Sequence, residues 1–165
     1  MITIVPALEW LEGLAWTTAI RESLWGPMIQ TAHVASIVFF AGLVIVMDLR
    51  LVGLSFTDAP AAHLQRRLFP WQMAGLVPST VTGILLCLID PLRYYGNVLF
   101  RVKLALLAVA GVNALAFHLT TSRMGERWDE DPRTAAPARL AGAVSLVLWF
   151  AIIVTGRLVA YNWFS

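Results

Sequence analysis

One cysteine, one lysine and three histidines are all that this chain of 165 residues holds of several chemically versatile side chains. A lone cysteine, Cys87, forms no intramolecular disulfide and excludes a cysteine-rich metal centre. Inside an apolar segment it reads as a packing residue. Charge is scarce as well: Asp, Glu, Lys and Arg make up 13% of the chain, about half their usual share in soluble domains. The polar stretches carry no nucleotide-binding glycine pattern, no nucleophile elbow and no HExxH helix. The net charge of +2 comes mostly from loop arginines, which speaks for membrane topology and against a nucleic-acid partner.

What the chain has in abundance is apolar length. Its mean hydropathy is +0.74, and 59% of its residues are hydrophobic. The segments 27–47, 68–89, 98–120 and 140–161 each approach the roughly 20 apolar residues that a helix needs to cross a hydrocarbon core. The expected fold is all-α: an integral-membrane, four-helix antiparallel bundle forming a single membrane domain in contact with the lipid bilayer. Ahead of it, Glu9, Glu12 and Glu22 interrupt the first residues, so these read as a retained segment and not as a signal peptide. Leu8, Leu11 and Ala15 at helical spacing, beside Trp10 and Trp16, predict an amphipathic interfacial helix over 6–22, ended by Gly26-Pro27.

Let side A be the face that precedes the first crossing and side B the opposite one. The side B loops carry Arg50, Arg66, Arg67, Arg123, Arg127, Arg133 and Arg139. Side A has Arg21 and Arg93, with Arg101, Lys103 and Arg157 just inside helix ends. The positive-inside rule then makes side B cytoplasmic and both termini periplasmic in a bacterial inner membrane. Trp10, Trp16, Trp25, Tyr94, Tyr95, Tyr161 and Trp163 fall at side A as an aromatic belt. The stretch "MGERWDEDPRTAAPAR" reads as a cytoplasmic connection or docking surface.

The basic residues inside apolar runs draw attention to one layer. His33 lies some six residues into the first crossing, which at the helical rise is about 9 Å below side A. Lys103 enters the third crossing, and Arg157 leaves the fourth, at a similar depth. An ionisable group in a bilayer is costly enough that function is its default reading, with snorkelling as the alternative for residues near helix ends. Gln30 shares the face of His33, while Gln72, Gly75, Ser79, Thr82 and Leu86 form a small, weakly polar stripe on the second crossing. Pro78, in that crossing, predicts a kink and a freed carbonyl.

A neutral histidine in a helix bundle is the usual ligand of haem iron, and inward cations suit tetrapyrrole carboxylates. The layer thus predicts a haem b site. His33 is its metal ligand, Lys103 and Arg157 pair with the propionates, and Gly75, Ser79 and Thr82 leave space for the ring. A hydrogen-bonded core histidine with two snorkelling cations explains the same residues. A copper site is the weaker expectation, because no second histidine or cysteine joins His33 at its level. His63 and His118, both near side B, form either a second, bis-histidine site or a pair of interfacial residues.

The stretches "TAHVASIVFFAGLVIVMDLRLVGL", "LFPWQMAGLVPSTVTGILL", "RVKLALLAVAGVNALAFH" and "GRLVAYNW" together resemble a bacterial family of small four-helix membrane proteins of unknown function, over most of the chain from Leu24 onward. More distantly the chain is similar to the membrane domain of copper-resistance protein D and to HemJ-type protoporphyrinogen oxidases. Those proteins carry a histidine early in a first crossing and a lysine entering a later one, matched here by His33 and Lys103-Leu104. The HemJ resemblance implies bound haem b, with the histidine and lysine important for oxidising a porphyrinogen; the copper-protein resemblance implies copper passage. The expected function is that of a haem b or tetrapyrrole-binding membrane protein of electron-transfer or redox type, with a homo-oligomer or a membrane redox partner. A cofactor-free subunit or oligomeric scaffold is the alternative, and copper handling a further one.

Overall fold

The computed structural model describes residues 4–124 and 132–161, with side chains described at 4–121 and 136–161. Among the described residues there is no strand. The helices are α1 (Val5–Glu12), α2 (Ala15–Arg21), α3 (Trp25–Val52), α4 (Ala61–Ile89), α5 (Pro91–Gly96), α6 (Val98–Met124) and α7 (Pro132–Ala160). Of these, α3, α4, α6 and α7 are long and apolar enough to cross a membrane. They form the expected all-α bundle, and at side B they run past the apolar segments. Hydropathy marks the hydrocarbon layer, whereas helical hydrogen bonding continues into the polar turns beyond it. Of the stretch "MGERWDEDPRTAAPAR", residues 125–131 lie outside the described residues and 132–139 are the start of α7; Trp163 also lies outside the described residues.

Local chemistry explains the ends. α3 stops at Gly53, whose φ of 84° lets its own N–H and that of Leu54 bond to the Leu49 carbonyl at 3.1 and 3.0 Å, a left-handed ending that suits glycine. α6 starts after the buried Asn97, whose Oδ1 accepts from the Phe100 N–H at 3.1 Å, as a helix cap does. Gly26-Pro27 lies in the first turn of α3 and does not end the preceding helix. A proline there forfeits only an N–H that has no intrahelical partner.

The single interfacial helix expected over 6–22 is two helices. The chain breaks at Gly13-Leu14, where Leu14 is extended with ψ 141°. The buried Thr17 donates to the Leu14 carbonyl at 2.7 Å, and Arg21 reaches Glu12 at 2.7 Å. α1 packs on α4 and α5, and α2 on α3 and α4, so the pair covers part of side A.

Within the bundle, α3 packs on α4 and α7, and α6 packs on α7. One core cluster joins Ala41, Ala110, Trp149 and Ile152, with the Phe40 ring meeting Trp149 edge-on at 5.2 Å. A second, towards side B, joins Met47, Leu51, Ala61 and Ala138. Lipid tails are as apolar as leucine, so close fit rather than water exclusion holds such helices together. Gly142 shows this: a Cβ there would stand 2.9 Å from Leu51 Cβ. The fourth edge, between α4 and α6, is bridged near side B by Phe69 stacking on His118 at 6.0 Å. At side A, Arg93 pairs with Asp90 at 3.8 Å and donates to the Ala160 carbonyl at 3.2 Å, tying α5 to the end of α7. Beside it, burial pushes the Tyr94 phenol above its ordinary range, against the pull of Arg93.

Candidate functional site

α3 turns His33 towards α4, where Nδ1 lies 3.0 Å from the Ser79 carbonyl oxygen and 3.1 Å from Thr82 Oγ1. A carbonyl oxygen only accepts, so Nδ1 carries the proton, and in the neutral ring Nε2 carries the lone pair. Nε2 has no hydrogen-bond partner among the described residues. Ser79 and Thr82, three residues apart on α4, present one face. The Thr82 hydroxyl donates to the Pro78 carbonyl at 2.6 Å, which leaves its oxygen able to accept from His33. One position on, Gly83 supplies the remaining space: a Cβ there would stand 3.1 Å from His33 Cε1.

Lys103, half-buried on α6, lays its chain against Gly156 of α7, where an added Cβ would be 3.5 Å from Nζ. Its ammonium interacts electrostatically with both His33 and Cys87. The four crossings therefore line one region: His33 from α3, Ser79, Thr82 and Gly83 from α4 with Cys87 one turn further on, Lys103 from α6 and Gly156 from α7. A cation and a ring nitrogen with a free lone pair share it.

The other expected site residues sit elsewhere. Arg157 follows Gly156 and so points about 100° away around α7; it is exposed, donating to Tyr161 Oη at 2.9 Å with its guanidinium 5.0 Å over that ring. Gln30 is exposed on the first turns of α3. Gly75 leaves no open space, because a Cβ there would stand 3.0 Å from Phe39 and Phe40 side chains; it serves the close approach of α3 and α4. His63 is exposed in the first turn of α4 and His118 is exposed in its stack on Phe69. No contact joins the two among the described residues.

Sequence reasoning passed over Gly83 and Gly156. Both are glycines in apolar helices at the depth of an ionisable group, a signal that was present but shared with several other glycines. It gave Asp48 no role, whereas the structure buries that residue at 5% exposure. The partner that receives it, Ser145 of α7, carries no sequence mark of its own.

Four apolar helices around this histidine–lysine layer define a multi-pass α-helical membrane protein with a polar site inside its bundle. Among the described residues no three metal-ligating side chains converge. The chain belongs to a family of unknown function, DUF6644, whose model matches residues 8–162. No curated protein and no solved structure matches it.

Proposed function

We propose that the protein binds haem b or a closely related tetrapyrrole within a bacterial inner membrane, with side B towards the cytoplasm and both termini in the periplasm. His33 Nε2 would hold the iron, and Lys103 would pair with a propionate. The observation that carries this reading is the His33 Nδ1 bond to the Ser79 carbonyl at 3.0 Å. Metal-ligating histidines characteristically donate their second ring nitrogen to a carbonyl or carboxylate, which sets the tautomer, holds the ring still and raises ligand basicity. With Nδ1 so engaged, Nε2 is left without a hydrogen-bond partner among the described residues, as a metal-ligating nitrogen must be.

The residues fit the group. His33 offers one oriented nitrogen, Lys103 one half-buried cation for a carboxylate, and Gly83 and Gly156 keep both side chains free of steric conflict. Arg157, engaged with Tyr161, is left out of the binding set. Bound there, the group supplies one-electron redox chemistry. The chain's own part is to orient the ligand through Ser79 and Thr82, to neutralise a propionate through Lys103, and to surround both with apolar helix. A copper-handling site finds less support, since among the described residues no group of three metal-ligating side chains includes His33.

The test is an absorbance spectrum of the detergent-purified protein, expressed with ample haem supply. A Soret band with sharp reduced-state peaks, lost in His33→Ala and kept in His118→Ala, is the expected result. A colourless wild-type protein rejects the reading in favour of a cofactor-free membrane subunit.

A further inference from the structure

The second polar group inside the bundle is independent of the His33 layer. Asp48 lies four residues before the end of α3, about 6 Å from it along the axis, and is 5% exposed. Its carboxyl is hydrogen-bonded to the Ser145 side chain of α7, and Oδ2 is buried with no partner. Two features bring it there. Gly142, one turn before Ser145, has no side chain, so α7 rests directly on the Asp48 carbonyl, 3.1 Å from where a Cβ would be. On the α6 side of α7, Asn113 donates to the Ala141 carbonyl at 3.0 Å, holding the same turn from behind.

Among the described residues no cation pairs with the carboxyl. α4 contributes Ala61, Leu64 and Leu68 to this end of the core, α6 contributes Phe117, and α7 contributes Ala138. Among the described residues, the charged and titratable side chains of side B lie outside it. Arg50 directs Nε to the Ala59 carbonyl at 2.7 Å, and Arg66, Arg67, Arg139, His63 and His118 are exposed. Among the described residues, Asp48 belongs to no group of three carboxylate, histidine or cysteine side chains that could hold a metal. An isolated carboxylate in such surroundings carries a large desolvation penalty, whereas a neutral acid leaves only one poorly satisfied oxygen.

We infer that Asp48 is a proton-binding site: its carboxyl takes up one proton from water on side B, and the neutral acid couples α3 to α7 through Ser145. The bond formed is O–H on the carboxyl, and the charge lost is the carboxylate's own.

Infrared spectroscopy of the full-length protein in lipid nanodiscs at neutral pH tests this. The expected result is a carbonyl stretch of a protonated carboxylic acid that shifts down on exchange into D2O and is lost in Asp48→Asn. Ser145→Ala should move the band to higher wavenumber, because the acid loses its hydrogen bond; this variant also assigns the band if Asp48→Asn fails to fold. Raising the pH through the neutral range should remove the band and lower the melting temperature of the wild type, with Asp48→Asn lacking that neutral-range decline. A folded wild-type protein without the band, or a band that persists in Asp48→Asn, overturns the assignment.

Discussion

The Nδ1 atom of His33 and the main-chain oxygen of Ser79 lie 3.0 Å apart across the α3–α4 interface. A main-chain acceptor cannot be removed by substitution, but its neighbour Thr82 can be changed. Thr82→Val keeps the shape and deletes the hydroxyl that accepts from the same nitrogen at 3.1 Å. The proposed tetrapyrrole should bind about tenfold more weakly, the lower end of the range for lost outer-shell partners. Haem titration of the apoprotein, followed by absorbance, measures this.

Two glycines separate space for the ring from space in general. Gly83→Ala places a methyl 3.1 Å from His33 Cε1, so the imidazole must move by a few tenths of an ångström, while Gly156→Ala makes ordinary contact with Lys103 at 3.5 Å. Both changes favour the helix by up to about 1 kcal/mol. Gly156→Ala should therefore raise thermal stability and leave haem affinity alone. Gly83→Ala should weaken binding, and a titration in which the two behave alike would contradict the placement of His33.

Lys103 and Arg157 were expected to act together and should not. Lys103→Met removes the cation facing His33, and the loss of one charge-assisted bond, about 1.5–3 kcal/mol, corresponds to a roughly ten- to hundredfold weaker affinity. Arg157→Met removes an exposed guanidinium bound to Tyr161 and should change affinity by less than about twofold, as exposed pairs generally do. Equilibrium binding of both variants decides it.

Tyr94 provides a pH prediction outside the membrane-spanning helices. Burial holds its phenol above the ordinary value of 10.0 in the folded protein. The unfolded chain therefore loses the proton first, and stability falls as pH rises through the ordinary phenol range towards the folded-state value. Tyr94→Phe should flatten that alkaline decline. Melting curves recorded across alkaline pH, wild type against variant, show whether it does.

The fold was legible because four long apolar runs admit few arrangements in lipid: each must close its own backbone hydrogen bonds as a helix. The break at Gly13-Leu14 was less so, since Leu8, Leu11 and Ala15 keep helical spacing on either side of it. Hydrophobic periodicity reports which face is apolar and says little about a single extended residue such as Leu14. Of the layer, His33 and Lys103 stood out by rarity and depth, and the structure brings them within electrostatic reach of each other. Arg157 matched them in depth alone, and depth does not specify the direction around a helix.

By itself, the order of residues determined that this chain crosses a membrane with four helices and carries a histidine and its one lysine at a similar depth. Composition and rise per residue suffice for that. Which of those groups face each other was decided only by tertiary packing: the rotation of α7 that turns Gly156 inward and Arg157 outward, and the approach of α3 that buries Asp48 against Ser145. Rotation about a helix axis is set by how neighbouring surfaces interlock, and no one helix encodes its partner's surface.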